Sequence, residues 1–148
     1  MRVHPARDRY RLALLIILAL GLLPADAIGQ VGPVAVEVRA REFAFAQTLE
    51  DRDLDAFLSF VSPEAIFFSN DEPLRGHVEV GRAWAPYFEG PEAPFSWEPA
   101  VVVVLESGKL ALSSGPVRDR SGNVVGRFNS IWRLDPDGQW RVVFDKGS

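Results

Sequence analysis

The clearest alternation of apolar and polar positions lies at the end of the chain. Residues 126–147 read GRFNSIWRLDPDGQWRVVFDKG. The segment Asp135-Pro136-Asp137-Gly138 predicts a three-residue hairpin loop, because Pro presets φ at the first turn position and Gly tolerates the left-handed conformation of a bulge. The sequence therefore predicts two long antiparallel strands around one tight turn.

Counting outward from this loop assigns a face of the sheet to each side chain. The loop pairs Asp135 with Gln139, and one face is then aromatic and apolar with a single hydroxyl: Phe128, Ser130, Trp132, Leu134, Trp140, Val142 and Phe144. Ser130 pairs with Phe144 in this register. The other face is mixed and charged, and it carries Asp145 opposite Asn129. We expect the aromatic face to be buried.

Helical and strand patterns precede the hairpin. Helices are predicted at 34–51, 54–61 and 78–85, and strands at 65–69, 95–106 with a bend at Pro99, and 110–117. The buried stripe of the first helix is predicted to be Val36, Ala40, Phe43, Ala44 and Leu49. Helices followed by a run of strands indicate an α+β fold, in which a curved antiparallel sheet wraps around the N-terminal helices and leaves a cone with an open mouth.

The first 27 residues have the order of a secretory signal peptide. Four arginines precede an uncharged apolar run, Leu12–Leu23, and Ala25-Asp26-Ala27 is a small-x-small cleavage site. The run is shorter than an ordinary membrane span, and an uncleaved anchor is the alternative. We expect a signal peptide at 1–27, a linker at 28–36 and one domain at 37–148, which is periplasmic or secreted and free of the membrane after cleavage.

Composition narrows the classes of function. Residues 28–148 carry 12 basic and 18 acidic side chains without a Lys/Arg-rich run, which argues against nucleic-acid binding. The chain has no Cys, and the same segment has one His, so a typical zinc site is excluded. We expect no metal and no cofactor.

Three stretches together resemble a known family. They are EFAFAQTLEDRDLDAFLSFVSPEAIFFS, GHVEVGRAW and the closing SIWRLDPDGQWRVVFDKG. From Glu37 to Gly147 the chain resembles the SnoaL-like, ketosteroid-isomerase-like branch of the nuclear transport factor 2-like superfamily. The resemblance implies a curved sheet around a long helix, an apolar cavity in the cone and frequent homodimers. Members include isomerases, cyclases, dehydratases and proteins with no known reaction, so the fold does not specify the substrate.

The candidate ligand contacts are the side chains expected to converge on such a cavity: Phe67, Trp84, Tyr87, Trp97, Phe128, Ser130, Trp132 and Phe144. Aromatic walls with a few polar groups are typical of small-molecule sites, and the alternative is that these rings only fill the core. Asp145 and His77 are the candidate catalytic residues. Our register turns Asp145 away from the aromatic face, and a shift of one residue would turn it into the cavity.

The segment Val101–Leu105 is apolar on both faces of its strand. With Ile131, Val143 and alternate residues of 110–112, it predicts an apolar patch on the outer face of the sheet, and such patches are typical of interfaces. We expect a back-to-back homodimer with Arg133 and Arg141 at its rim.

Two functions remain open: an exported domain that binds a small apolar molecule, with weak acid–base chemistry of isomerase or dehydratase type, and a non-catalytic homodimeric interaction or adaptor module.

Overall fold

The computed structural model describes residues 32–148. The helices are α1 Pro33–Glu50, α2 Leu54–Phe60, α3 Gly76–Trp84 and a 3₁₀ helix at Ala85–Phe88, and the strands are β1 Val61–Ser69, β2 Glu72–Arg75, β3 Phe95–Trp97, β4 Val101–Val104, β5 Leu110–Asp119, β6 Val124–Leu134 and β7 Trp140–Lys146. The predicted signal peptide and the start of the linker lie outside the described residues. Helix α1 begins at Pro33, inside the predicted linker.

The seven strands form one curved, unclosed sheet in the order β2-β1-β7-β6-β5-β3, with β4 also pairing with β5. This arrangement confirms the predicted α+β fold. Two details differ from the prediction. Strand β1 pairs in parallel with β7, whereas the other neighbours are antiparallel. Residues Glu72–Arg75, where no strand was predicted, form an edge strand on β1, and Pro73 is tolerated there because an edge strand leaves one side unpaired.

The closing hairpin has the predicted loop but not the predicted register along its whole length. Asp135 N–H donates to the Gln139 carbonyl at 2.9 Å, and Gly138 has a φ of 79°. Trp132 lies opposite Val142 as predicted, but a β-bulge follows. The bulge accommodates Val143 as an extra residue, so Ser130 lies opposite Asp145 and not Phe144.

The bulge reverses the predicted faces beyond it. Phe144 turns outward and is 45% exposed, whereas Val143 is buried. The predicted position of Phe144 in the cavity and that of Val143 on the outer patch are therefore wrong. Asp145 takes the inner face beside buried Ser130. The one-residue register shift that the sequence left open has occurred, and its cause is the bulge.

Helix α1 lies in the concave side of the sheet, and its buried stripe differs from the predicted one. The buried positions are Ala35, Val38, Glu42, Phe45, Thr48 and Leu49. Val36 and Phe43, predicted to be buried, are 55% and 48% exposed. The prediction failed because a charged residue, Glu42, occupies the centre of the inner stripe.

None of the helices within residues 32–148 combines the length and the apolar character that crossing a membrane requires.

Candidate functional site

A pocket of about 390 Å³ opens at the end of the cone where α3, the 3₁₀ helix and the ends of the strands meet. Its walls are mainly aromatic and apolar, with a few polar groups: Phe45, Phe68, Ser69, Asn70, Leu74, Ala83, Trp84, Tyr87, Phe95, Trp97, Val117, Phe128, Asp145 and Gly147. Asp145 is the one carboxylic acid among these lining residues, and none of them is basic. The volume lies within the range of small-molecule sites.

The Asp145 carboxyl is positioned by its strand partner. The Ser130 hydroxyl donates to Asp145 Oδ2 at 2.7 Å. Burial of the carboxyl raises the pKa of Asp145 to about 7; the Ser130 hydrogen bond opposes this increase, and the negative charge of Glu42 adds to it. A carboxyl that changes charge near neutral pH is suited to both accept and donate a proton.

Glu42 on α1 is a second, more deeply buried acid, and it is not among the predicted site residues. Its side chain is fully buried, and its two oxygens accept hydrogen bonds from Trp97 Nε1 at 2.9 Å and Trp132 Nε1 at 2.7 Å. Burial raises the pKa of Glu42, although the two indole donors partly offset this. The helical spacing of the sequence could have indicated that Glu42 is buried, because it lies four residues after Val38 and three before Phe45 and so on the same face of α1.

The remaining predicted ligand contacts fall into two groups. Trp84, Tyr87, Trp97 and Phe128 line the pocket together with Asp145. Phe67, Ser130 and Trp132 are buried and do not line it. Trp132 packs edge-on to Phe45, which lines the pocket, at 5.8 Å between ring centroids. Its indole N–H donates to Glu42.

His77 lies in a different, wider groove that shares no lining residue with the pocket. Its Nε2 atom is 2.7 Å from the Val61 carbonyl oxygen, so this nitrogen donates a hydrogen bond to the backbone. The groove has a larger volume than the pocket, about 820 Å³. Both of its arginines form ion pairs with carboxylates. Arg133 Nε is 2.7 Å from Asp135, and Arg141 is 2.8 Å from Asp137. The geometry therefore separates His77 from Asp145.

Arg52 holds the segment that carries Tyr87 at the pocket. It has a φ of 60°, which is uncommon for a residue with a side chain. Its guanidinium donates to the carbonyls of Leu49, Tyr87, Glu89 and Gly90. One side chain thus connects the end of α1 to the 3₁₀ helix and the loop that follows it, and this fixes the position of Tyr87.

The profile of the SnoaL-like domain family matches residues 43–143, which span most of the described fold. The chain belongs to the SnoaL-like domain family. No curated protein sequence matches it at a significant level. The matched range ends at residue 143, inside β7 and two residues before Asp145, so the match itself does not assign a role to this acid.

Solved structures of the same fold resemble this SnoaL-like domain at low sequence identity. A nuclear transport factor 2-like protein of unknown function from Pseudomonas putida KT2440 is 22% identical over 77% of this chain and 84% of its own, with a TM-score of 0.63. A cystatin-like fold protein from Burkholderia xenovorans LB400 is 22% identical over 80% and 93%, with a TM-score of 0.63. A ketosteroid isomerase-like protein from Erwinia carotovora atroseptica SCRI1043 is 15% identical over 79% and 96%, with a TM-score of 0.62.

Proposed function

We propose that this SnoaL-like domain binds a small, ring-containing, largely apolar molecule in the pocket, and that Asp145 acts on it as a general acid–base. The observation that carries the proposal is the position of Asp145, which is the one carboxyl among the described residues on a mainly aromatic and apolar wall. Its pKa of about 7 keeps both protonation states populated at neutral pH. Proton transfer within an apolar molecule is the chemistry that this arrangement supports best.

The pocket also offers donors for an oxygen atom of the ligand. Asn70 and Tyr87 line it and carry an amide and a hydroxyl. A carbonyl compound bound with its α-carbon at Asp145 would lose a proton to the carboxylate and become an enolate, whose oxygen would accept hydrogen bonds from Asn70 and Tyr87. The same carboxyl would then return the proton to carbon, at the original or at another position. Return to the original carbon exchanges its hydrogen, return to another carbon is an isomerisation, and neither needs a co-reactant.

The experiment measures hydrogen–deuterium exchange at the α-carbons of 2-tetralone, a bicyclic aromatic ketone, in D₂O by NMR. The wild-type chain should accelerate the exchange above buffer, and Asp145→Asn should lower that acceleration by about 10²-fold or more, the usual contribution of a general base. Asp71→Asn is the matched control, because the Asp71 side chain is fully exposed and does not line the pocket. Equal rates for wild type and Asp145→Asn would contradict the proposal.

We also propose that two copies of the domain pack back to back through the outer face of the sheet. The register places five apolar side chains in one row across five strands: Val103, Leu112, Ile131, Phe144 and Ile66. Four of them, all except Ile66, are between 37% and 56% exposed. An apolar row of this length, exposed on one chain, favours a homodimer, and a second copy would present the same row to it.

Export is the third part of the proposal, and it rests on the N-terminal sequence. A basic start, an apolar run and an Ala-x-Ala site precede the domain in the order of a secretory signal peptide. We propose that the chain is cleaved after Ala27 and acts in the periplasm or outside the cell. The absence of Cys means that the domain has no disulfide to form in that compartment.

A further inference from the structure

Glu42 lacks the partner that a buried carboxylate requires. A fully buried charge is costly unless a cation or several donors compensate it. The Glu42 oxygens receive two neutral indole N–H groups, and no cation is bonded to them among the described residues. Burial therefore favours the protonated form and raises the pKa of Glu42. A protonated carboxyl carries an O–H that needs an acceptor, and indoles only donate.

The available acceptor is Ser113. Its hydroxyl is fully buried and has no hydrogen-bond partner within residues 32–148. A hydroxyl can both donate and accept: donation from Ser113 to the Glu42 carboxylate lowers the pKa of Glu42, and the same hydroxyl can accept from the protonated carboxyl. Ser113 is also the direct cross-strand partner of Ser130, and both side chains are buried on the inner face. Cβ atoms of such partners are about 5 Å apart, a distance that two hydroxyl groups turned toward each other bridge.

We propose that Glu42, Ser113, Ser130 and Asp145 form a hydrogen-bonded relay that shares one proton between the buried acid and the pocket acid. Its last link is the 2.7 Å bond from the Ser130 hydroxyl to Asp145. Each hydroxyl passes its own hydrogen to the next oxygen and receives another, so only O–H bonds break and form. One proton moves from Glu42 to Asp145 or back, and one negative charge moves in the opposite direction.

The relay makes Glu42 a positioning residue that acts through Asp145, and its use in catalysis rests on the proposed function of the pocket. Within residues 32–148, Glu42 is the one charged side chain that shifts the pKa of Asp145. Strand β6 presents Ser130, β1 presents Phe67, and α1 presents Glu42. The adjacent Lys146 pairs with exposed Asp71 at 3.5 Å. Tyr87 is the one other titratable group that lines the pocket, and it lies on the 3₁₀ helix.

The test follows the carboxyl carbons of Glu42 and Asp145 by ¹³C NMR across the pH range, in the full chain and without ligand. In wild type, both signals should shift over the same pH interval, because coupled acids titrate as a pair. In Ser113→Ala, the Glu42 signal should no longer follow Asp145. In Glu42→Gln, the Asp145 midpoint should move to lower pH, because the like charge is gone.

Ser114→Ala is the matched control, since it removes a hydroxyl from the neighbouring position of the same strand. The Ser114 hydroxyl bonds the Phe128 carbonyl at 3.0 Å and Asn129 Oδ1 at 2.9 Å, away from the relay. This variant should titrate like wild type. If circular dichroism shows that Glu42→Gln does not fold, the comparison of Ser113→Ala with Ser114→Ala tests the relay.

The relay is overturned if Glu42 does not respond in the Asp145 interval of the wild type, or if Ser113→Ala and Ser114→Ala titrate alike. Because this titration uses no ligand, its failure leaves the proposed ligand site intact. Conversely, if the chain shows the coupled titration but does not accelerate exchange of the 2-tetralone hydrogens, the result supports the relay and contradicts the proposed function.

Discussion

Replacement of Asp145 by Asn should make the fold more stable at alkaline pH. The folded chain raises the pKa of Asp145 from its ordinary 3.8 to about 7, mainly by burial. Between these values the folded state holds a proton that the unfolded state has lost. The stability of the wild type therefore falls as pH rises from about 4 to about 7, and it levels off above that. Asn has nearly the same shape, still accepts from Ser130 and does not titrate.

The shift sets an upper limit of about 4 kcal/mol for this effect above pH 8. Asp145 is only half-buried as a residue and borders the pocket, where water screens part of the charge. We therefore expect Asp145→Asn to gain about 2–4 kcal/mol relative to wild type between pH 4 and pH 8. Glu42 is present in both proteins, so its own titration contributes to both curves.

Urea unfolding followed by tryptophan fluorescence, at intervals from pH 4 to pH 8.5, measures the two free energies. The control is again Asp71→Asn, whose exposed side chain should leave the pH dependence unchanged. Parallel curves for wild type and Asp145→Asn over the whole range would exclude a raised pKa of Asp145 in the folded chain. They would mean that the Asp145 carboxyl is solvated and ionises at its ordinary pH.

Three further predictions concern the core, the assembly and the N-terminus. Trp132→Ala should lower the free energy of unfolding by about 3–5 kcal/mol in urea denaturation, because the indole is fully buried; an unchanged midpoint would contradict this. Light scattering should give a dimer mass for wild type and Val125→Glu and a monomer mass for Val103→Glu, since Val125 is 60% exposed and outside the apolar row; a monomeric wild type would exclude the interface. Intact mass of the exported protein should match a chain that begins at Ile28, and a species that retains Met1 in the membrane fraction would exclude cleavage.

Local sequence signals predicted most of the elements correctly. The Asp135–Gly138 loop formed as predicted because Pro and Gly restrict the backbone over four residues. The second predicted helix begins at Leu54 as expected, where Asp53 caps it by accepting from the Ala56 N–H at 2.8 Å. Such features depend on neighbours in the chain, so a sequence specifies them directly.

The candidate site was less predictable because non-local contacts build it. The bulge at Val143 depends on how β7 pairs with both β6 and β1, and both ladders are irregular there. That single residue decides whether Phe144 or Asp145 points inward. Glu42 was not predicted to be buried because the helix faces were assigned from apolar residues alone. Its burial depends on hydrogen bonds from two indoles on strands distant in the sequence.

The pH dependence of 2-tetralone exchange tests the central claim most directly, because it reports the ionisation of the group that removes the proton. The exchange rate should rise with pH, with a midpoint near the pKa of about 7 of Asp145, and then level off. The inflection should disappear in Asp145→Asn. A profile without an inflection near pH 7, or one that Asp145→Asn retains, would contradict the assignment of Asp145 as the acid–base group of this pocket.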